Sequence, residues 1–299
     1  MTTMETTTAR YSWGGDEHIF VEIDEAMSLQ AHFRAMAITT SLQQQRPDGI
    51  LEICPANASY QVRYNPDVLE PRTLLAQLKD IEKQVGDASD FSLSTRVLEI
   101  PVLYEDPWTT ESAWRFRSHH QKSDVTDIQY AAQINGFANT EEFIEAHSRS
   151  PWFTSMVGFV TGLPFMFQMV PHERQLVVPK YLSPRPSDTP KQTVGHGGSF
   201  GCIYSVRGGG GYQMFGITPS PIYDPSQSMP DFDESVVYFR PGYIVKFIPI
   251  DRDQYDDYVN EVEAGNYRIK AREIDFSLQP YLDDPDGFNA RLLEVLHDG

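Results

Sequence analysis

The sequence has 299 residues, with 24 lysines and arginines against 42 aspartates and glutamates, and a formal net charge of -18 at pH 7. This length allows two compact domains, and the negative charge repels nucleic acid and anionic membrane surfaces, which are therefore not expected as partners. Hydrophobic residues at 40% and aromatic residues at 12% predict a folded protein rather than a disordered acidic one.

The first part of the chain predicts a β-α-β-β-α module. Residues 16–23 have strand character and residues 24–45 favour a helix, after which the runs GILEIC and ASYQVRY predict an antiparallel hairpin. Glu70 and Pro71 open a second helix with one apolar stripe, since proline is tolerated in a first helical turn. We therefore expect a ferredoxin-like α+β domain over residues 10–90.

The remainder predicts a second domain of different character. Residues 86–94 are typical of a linker, RVLEIPVLY returns to strand character, and residues 107–150 are helical. Beyond Pro151, short β-like runs separated by glycine and proline favour a barrel or a sandwich. The expected second domain spans residues 95–282, with the helical segment inside it, and an amphipathic tail helix follows over residues 283–299.

The two cysteines and the first ten residues indicate the cellular compartment in which the protein is expected. Cys54 and Cys202 lie in apolar runs without CxxC spacing, so reduced and partly buried thiols are expected. The first ten residues lack the apolar region of a signal peptide, and no stretch reaches the roughly 20 apolar residues that a spanning helix needs. A cytoplasmic protein is expected.

Two glycine clusters, Gly195–Gly198 and Gly208–Gly211, flank the run FGCIYSV. Glycine lets backbone N–H groups approach a ligand, although tight β-turns explain the clusters equally well, and no nucleotide-binding motif is present. His196, between glycines, is either a proton donor near a ligand or an exposed polar residue. Lys180 and Arg185 either bind a carboxylate or carbonyl oxygen or are simply solvated. No metal-binding spacing occurs, so no metal is expected.

The order of several runs adds a resemblance. TRVLEIPVLYEDPW, then LVVPKYLSPRPSDTPKQTVGHGGSFGCIYSVRGGGGYQMFGITPSPIYDPSQ, then FRPGYIVKFIPID resemble the allophanate hydrolase subunit 1 or KipI family, with a pattern similar to the second half of the urea carboxylase carboxyltransferase domain. The resemblance covers about residues 10–282. It implies an α+β domain followed by a cyclophilin-like β-barrel. It also implies a subunit 2 or KipA-like partner, or a homo-oligomer, that completes the active site.

The resemblance further implies a function. The chain would be a carboxyltransferase-type subunit of a urea-carboxylase-like, allophanate hydrolase-like or 5-oxoprolinase-like complex, moving a carboxyl group to a urea, amide or lactam nitrogen. Carboxybiotin and ATP would come from other polypeptides, and the chain itself would bind neither. The implied catalytic residues are His196, Lys180 and Tyr212, and the implied substrate-binding residues are Gly197, Gly198, Ser199, Tyr204, Gln213 and Arg185.

Two departures from the family pattern leave alternatives open. Ile217 stands where the family usually has arginine, and His196 stands where an aliphatic residue is usual. One alternative is a stand-alone enzyme of the same fold that acts on a small organic acid or a polyketide-like substrate, with His196 as general acid or base. The other is a non-catalytic, KipI-like binding or regulatory module.

Overall fold

The structure is a computed structural model that describes residues 8–297. It divides into two compact units. One comprises the described residues up to Leu93 together with Asp275–Asp283, and the other comprises Ser94–Ile274 together with the described residues from Asp284 onward. Residues 275–282 were expected in the second domain, and residue 283 in the tail helix. The segment belongs with the first unit because its apolar side chains pack there, with the rings of Phe276 and Phe33 4.9 Å apart.

The first unit contains a four-stranded antiparallel sheet and two long helices. The elements are β1 (Arg10–Trp13), β2 (His18–Glu22), α1 (Leu29–Gln45), β3 (Ile50–Ala56), β4 (Ser59–Tyr64) and α2 (Pro71–Val85). The strands follow the order β1-β2-β4-β3 across the sheet. Alternation of buried and less buried side chains along β4 gives the sheet one core face, as the run ASYQVRY predicts.

The two helices have the end signals that their sequences carry. Ser28 precedes α1, and its hydroxyl accepts a hydrogen bond from the Ala31 N–H. Glu70 plays the same part for α2, whose buried positions include Leu74, Leu78 and Ile81. Complete burial of each such aliphatic side chain stabilises the fold by roughly 1.5–3 kcal/mol. Helix α2 and the β3–β4 hairpin are thus confirmed, whereas β1 was not predicted.

The second unit is built on an eight-stranded sheet. The strands in this part of the chain are β5 (Ser92–Tyr104), β6 (Trp152–Val157), β7 (Pro164–Gln168), β8 (Arg185–Thr189), β9 (Thr193–Gly197), β10 (Phe200–Ile203), β11 (Gly208–Gly210), β12 (Gln213–Ile217), β13 (Ile244–Pro249) and β14 (Ala271–Ser277). All of them except β8 and β11 belong to the eight-stranded sheet, in the order β12-β9-β10-β7-β6-β13-β5-β14. An additional pairing of β12 with β5 closes seven of these strands into a ring. The closed sheet agrees with the predicted barrel rather than with a sandwich; the ferredoxin-like and cyclophilin-like classifications stay predictions.

Strands β8 and β11 form a separate two-stranded ribbon, in which Gly210 pairs with Arg185. Helices occupy the predicted helical segment and the C-terminal part of the chain. The helices of the second unit are α3 (Pro107–Arg115), α4 (Asp127–Ile134), α5 (Thr140–Arg149), α6 (Arg252–Glu263) and α8 (Pro285–Glu294), whereas α7 (Leu278–Asp283) belongs to the first unit.

Candidate functional site

A cavity of about 500 Å³ lies in the second unit, between the β8–β11 ribbon and residues of β7 and β10. Its lining contains the three cations Lys180, Arg185 and Arg207 and no carboxylate or imidazole. The cavity lining is therefore positively charged, although the chain as a whole has a formal charge of -18. The apolar wall consists of Phe159, Val160, Leu163, Phe165, Pro184 and Val206.

Glycines of β9 and β11 make room for aromatic rings. A Cβ atom on Gly210 would lie well inside van der Waals contact with the hydroxyl of Tyr204, and a Cβ on Gly197 would overlap the ring of Tyr212. Both tyrosines line the cavity. The two glycine clusters that were predicted as ligand loops are therefore mainly strand. Because Gly197 and Gly210 have no side chain, the rings of Tyr212 and Tyr204 can pack against them and form the cavity wall.

Arg185 is the most deeply buried charged residue of the lining, with only 1% of its surface exposed. Its Nε donates to Thr189 Oγ1 at 3.1 Å, and its guanidinium carbon lies 4.5 Å from the ring centre of Tyr181. Within residues 8–297, neither Nη1 nor Nη2 has a hydrogen-bond partner of standard geometry. The Tyr204 phenol oxygen lies close enough to make a weak hydrogen bond with the guanidinium, which lowers the pKa of the phenol against the larger effect of burial. Buried guanidinium groups are nearly always paired, so a guanidinium with two such nitrogens at the border of a cavity is a candidate ligand contact.

Behind Arg185, a buried network holds the ring of Tyr181. The Tyr181 hydroxyl donates to the carboxylate of Asp127 at 2.7 Å. Asp127 also accepts from Arg117 Nη1 at 2.7 Å and from the Met214 N–H at 2.9 Å, so its charge is fully compensated. Sequence reasoning missed this network, because Asp127 is indistinguishable there from an ordinary first-turn helix acid.

The other polar groups of the cavity are neutral or cationic. Burial raises the pKa values of the Tyr204 and Tyr212 phenols and of the Cys202 thiol, so all three stay protonated near neutral pH. The Lys180 ammonium lies 5.1 Å from the ring centre of Tyr212, where the electron-rich face attracts a cation.

The predicted site residues separate into two groups. Four of them line the cavity together: Lys180, Arg185, Tyr204 and Tyr212. Five do not line it: His196, Gly197, Gly198, Ser199 and Gln213. The catalytic and binding roles of the first group stay predictions.

His196 is neither an exposed polar residue nor a cavity residue. Its side chain is fully buried between the ring of Phe215, 6.0 Å away and nearly parallel, and the edge of Trp152. Its Nε2 lies 3.1 Å from the carbonyl oxygens of both Leu176 and Gly198, so this nitrogen carries the proton of a neutral imidazole. Burial lowers the pKa of His196 to about 4. The expectation of a general acid or base here is corrected, because residue 196 faces the core of the closed sheet.

The remaining predicted residues have structural partners. Gln213 is buried, accepts at Oε1 from His120 Nε2 at 2.8 Å, and donates to the Pro179 carbonyl at 2.8 Å. Gly198 and Ser199 form the turn between β9 and β10, where Gly198 has the positive φ of 65° that favours glycine. Cys54 is exposed rather than partly buried, and Cys202 is buried; both thiols are free.

Ile217, at the position of the family's usual arginine, does not line this cavity. It borders a second cavity of about 490 Å³, which includes Arg115, Asp188 and Lys191. Residue 217 is therefore not one of the lining positions of the first cavity.

A family model described as "Carboxyltransferase domain, subdomain C and D" matches residues 9–232 of the chain. The chain belongs to this carboxyltransferase family. The match covers all of the cavity residues described above.

Individual relatives of this carboxyltransferase chain differ greatly in length. It is 28% identical over 257 residues to a 5-oxoprolinase subunit of Bacillus subtilis, a match that covers 83% of this chain and 95% of that protein. It is 23% identical over 276 residues to the urea amidolyase of Saccharomyces cerevisiae, covering 91% of this chain but only 15% of that protein. The crystal structure of Kluyveromyces lactis urea carboxylase matches 97% of this chain and 26% of that one, with 20% identity and a TM-score of 0.81, which shows a shared fold.

Two absences among the described residues concern metal ions and membranes. Residues 8–297 contain no group of three or more histidine, cysteine, aspartate or glutamate side chains placed to hold a metal ion. Over the same range no helix combines the length and the apolar character that crossing a bilayer requires.

Proposed function

We propose that the chain is the carboxyltransferase-type subunit of a biotin-dependent or ATP-dependent complex that acts at the nitrogen of a urea, an amide or a lactam. The observation that carries the proposal is the match to 95% of a 5-oxoprolinase subunit, within a family described as a carboxyltransferase domain. Carboxybiotin, where the complex uses it, would supply the activated carboxyl group from another polypeptide.

The residues of the cavity fit the binding of an oxygen that carries negative charge. Arg185 has two terminal nitrogens without a partner among residues 8–297, and Lys180 adds a second positive charge at the cavity. Donors placed in advance around a developing negative charge stabilise it without the cost of reorganising water. The protonated phenols of Tyr204 and Tyr212 can donate to the same ligand.

The same lining supports a role as one part of a larger assembly. Proton removal from a urea, amide or lactam nitrogen needs a base, and the lining holds no carboxylate and no imidazole. Its tyrosines and its cysteine are held protonated by burial. The cavity can therefore bind and polarise a reactant, while the base comes from a partner protein or from the reactant itself.

The test is to co-express the chain with a subunit 2 type protein from the same genome. Size-exclusion chromatography reports complex formation, and turnover is then measured with urea, 5-oxoproline and acetamide in two arms. One arm supplies ATP and follows ADP release, and the other supplies a carboxylated biotin carrier and follows transfer of its carboxyl group to the compound. We expect a stable complex and turnover of one of the three compounds in one of the two arms. Absence of both would contradict the proposal.

A second candidate, the binding or regulatory module, is favoured by the replacement of the family's usual arginine by Ile217. Complex formation without turnover of any of the compounds would select it. Turnover by the chain alone would instead favour a stand-alone enzyme, although not one that uses the buried His196 as its acid or base.

A further inference from the structure

The cavity combines a charged end with a large apolar wall, and neither part is explained by the stability of the fold. Burying a guanidinium with two unpaired terminal nitrogens is costly, and Met or Leu at position 185 would fill the same space without that cost. The apolar residues of the wall, of which Phe159 is 71% exposed, likewise leave hydrocarbon surface open to solvent.

We propose that this cavity binds an organic monocarboxylate with a hydrocarbon body. The carboxylate would be bound by Arg185, and the body would pack against the wall formed by Phe159, Leu163 and Phe165. The inference deepens the proposed function, because it names the chemical class of that site's ligand, but binding itself is a property of this chain alone.

The negative charge of the ligand follows from the arrangement of the three cations. The exposed Arg207 is already paired with Asp188, and Lys180 is exposed to water beside the ring of Tyr212, where an ammonium group needs no partner from a ligand. Arg185 is the buried cation whose Nη1 and Nη2 are unpaired in the described chain. A carboxylate matches this group best, since its two oxygens can accept from both nitrogens at once.

A single charge and a hydrocarbon body follow from the rest of the lining. A second carboxylate could approach only the exposed Lys180, where water screens the attraction, and placed against the apolar wall it would bury an unpaired charge. A neutral polar molecule such as urea would leave the same wall wet and the guanidinium uncompensated. A cavity of about 500 Å³ is also within the usual range for small-molecule sites, so the body can be as large as a phenyl ring with a short linker.

Asp127 and Tyr181 are positioning residues for this site. The hydrogen bond from Tyr181 to Asp127 fixes the ring that lies under the guanidinium, and the bond from Arg185 Nε to Thr189 holds its other edge. Nη1 and Nη2 of Arg185, which have no partner in the described part of the chain, therefore form the side of the guanidinium that could meet a ligand.

The test is calorimetric titration of the chain alone with 3-phenylpropanoate, its neutral counterpart 3-phenylpropanamide, and acetate, in chloride buffer at pH 7.5. We expect 3-phenylpropanoate to bind about tenfold to a hundredfold more tightly than the amide, which lacks the charge. Acetate is expected to bind more weakly as well, because it has almost no hydrocarbon to bury. Equal affinity for the acid and the amide, or for the acid and acetate, would overturn the proposal.

The Arg185→Met variant tests the assignment to one residue. It removes the charge at similar length and is expected to lose the same factor of about ten to a hundred for 3-phenylpropanoate while changing the affinity for the amide little. Arg174→Met is the matched control, since Arg174 is an exposed arginine of the same unit that pairs with Asp286. Unchanged binding of 3-phenylpropanoate by Arg185→Met would refute the role of Arg185, and the acid-to-amide comparison on the unaltered chain decides the case if the variant does not fold.

The outcomes separate this inference from the proposed function. Preference for the acid with no complex and no turnover would keep the inference and reject the carboxyltransferase role. Turnover by the complex with no preference for the acid would keep the role and reject the inference.

Discussion

At the scale of single residues, His196 and Arg185 are both buried but differ in charge and in hydrogen bonding. His196 is neutral, donates to two carbonyl oxygens and fills the core, whereas Arg185 is charged and keeps two donors unpaired within the described chain. Both are more than nine-tenths buried. In the sequence both are polar residues near glycines. Whether such a residue lies in the core or at the cavity depends on which face of its strand carries the side chain, and the sequence does not show this.

The histidines give a pH dependence of stability. Burial lowers the pKa values of His32 and His196 to about 4, and that of His147 well below its usual range, whereas the unfolded chain binds a proton near pH 6.5. Between these values the unfolded state binds more protons than the folded state. Stability is therefore greatest above about pH 7 and falls as the pH falls towards 4, by about 2 kcal/mol at pH 5 for His196 alone.

Guanidinium chloride unfolding at pH 7.5 and pH 5, followed by tryptophan fluorescence, measures this effect in the second unit, where three of the four tryptophans lie. We expect His196→Gln to lose about 2 kcal/mol less between the two pH values than the unaltered chain does. His172→Gln, at a histidine that is not buried, is the control. An identical pH dependence in His196→Gln would show that His196 is not held neutral in the folded state.

At the scale of elements, the ribbon of β8 and β11 controls the shape of the cavity. Gly208 and Gly210 lie on the same strand, yet a Cβ at Gly208 meets nothing within 4 Å, whereas a Cβ at Gly210 meets the Tyr204 hydroxyl. Neither residue has a positive φ, so alanine brings no backbone strain of that kind at either position. The two alanine variants therefore differ only in whether Tyr204 must move.

We expect Gly210→Ala to weaken the binding of 3-phenylpropanoate about tenfold, because it displaces a ring of the cavity wall. Gly208→Ala should cause a far smaller loss, and circular dichroism checks that both variants keep their strands. Equal losses in calorimetric titrations of the two variants would mean that the position of Tyr204 does not shape the site.

The elements that the sequence predicts well are those with long, regular patterns. The stripe of α2, with Leu74 and Leu78, and the alternation along β4 each depend on the residues of one element alone. By contrast, β11 is a run of three glycines, a residue type that strands disfavour, and it is a strand only because β8 supplies hydrogen-bond partners distant in sequence. Asp127 likewise joins the site through Tyr181, 54 residues away, which no local pattern records.

At the scale of the whole molecule, the chain corresponds to nearly all of one relative and to a small part of others. It matches 95% of a 5-oxoprolinase subunit and 15% of a urea amidolyase. The cavity has the donors to hold a reactant and lacks a base among its lining residues. Both facts favour an assembly in which this chain binds and orients one reactant.

The most direct measurement is the turnover of the complex reconstituted with a subunit 2 type partner, comparing the unaltered chain with Arg185→Met and with Arg174→Met. Each complex is first shown by size-exclusion chromatography to form, and turnover is then followed with the compound that the unaltered complex uses, as ADP release or as carboxyl transfer from the biotin carrier. We expect Arg185→Met to lower kcat/KM about tenfold or more and Arg174→Met to leave it unchanged, because of the two only Arg185 lies in the cavity. Full activity in the Arg185→Met complex would contradict the assignment of this cavity as the reactant site.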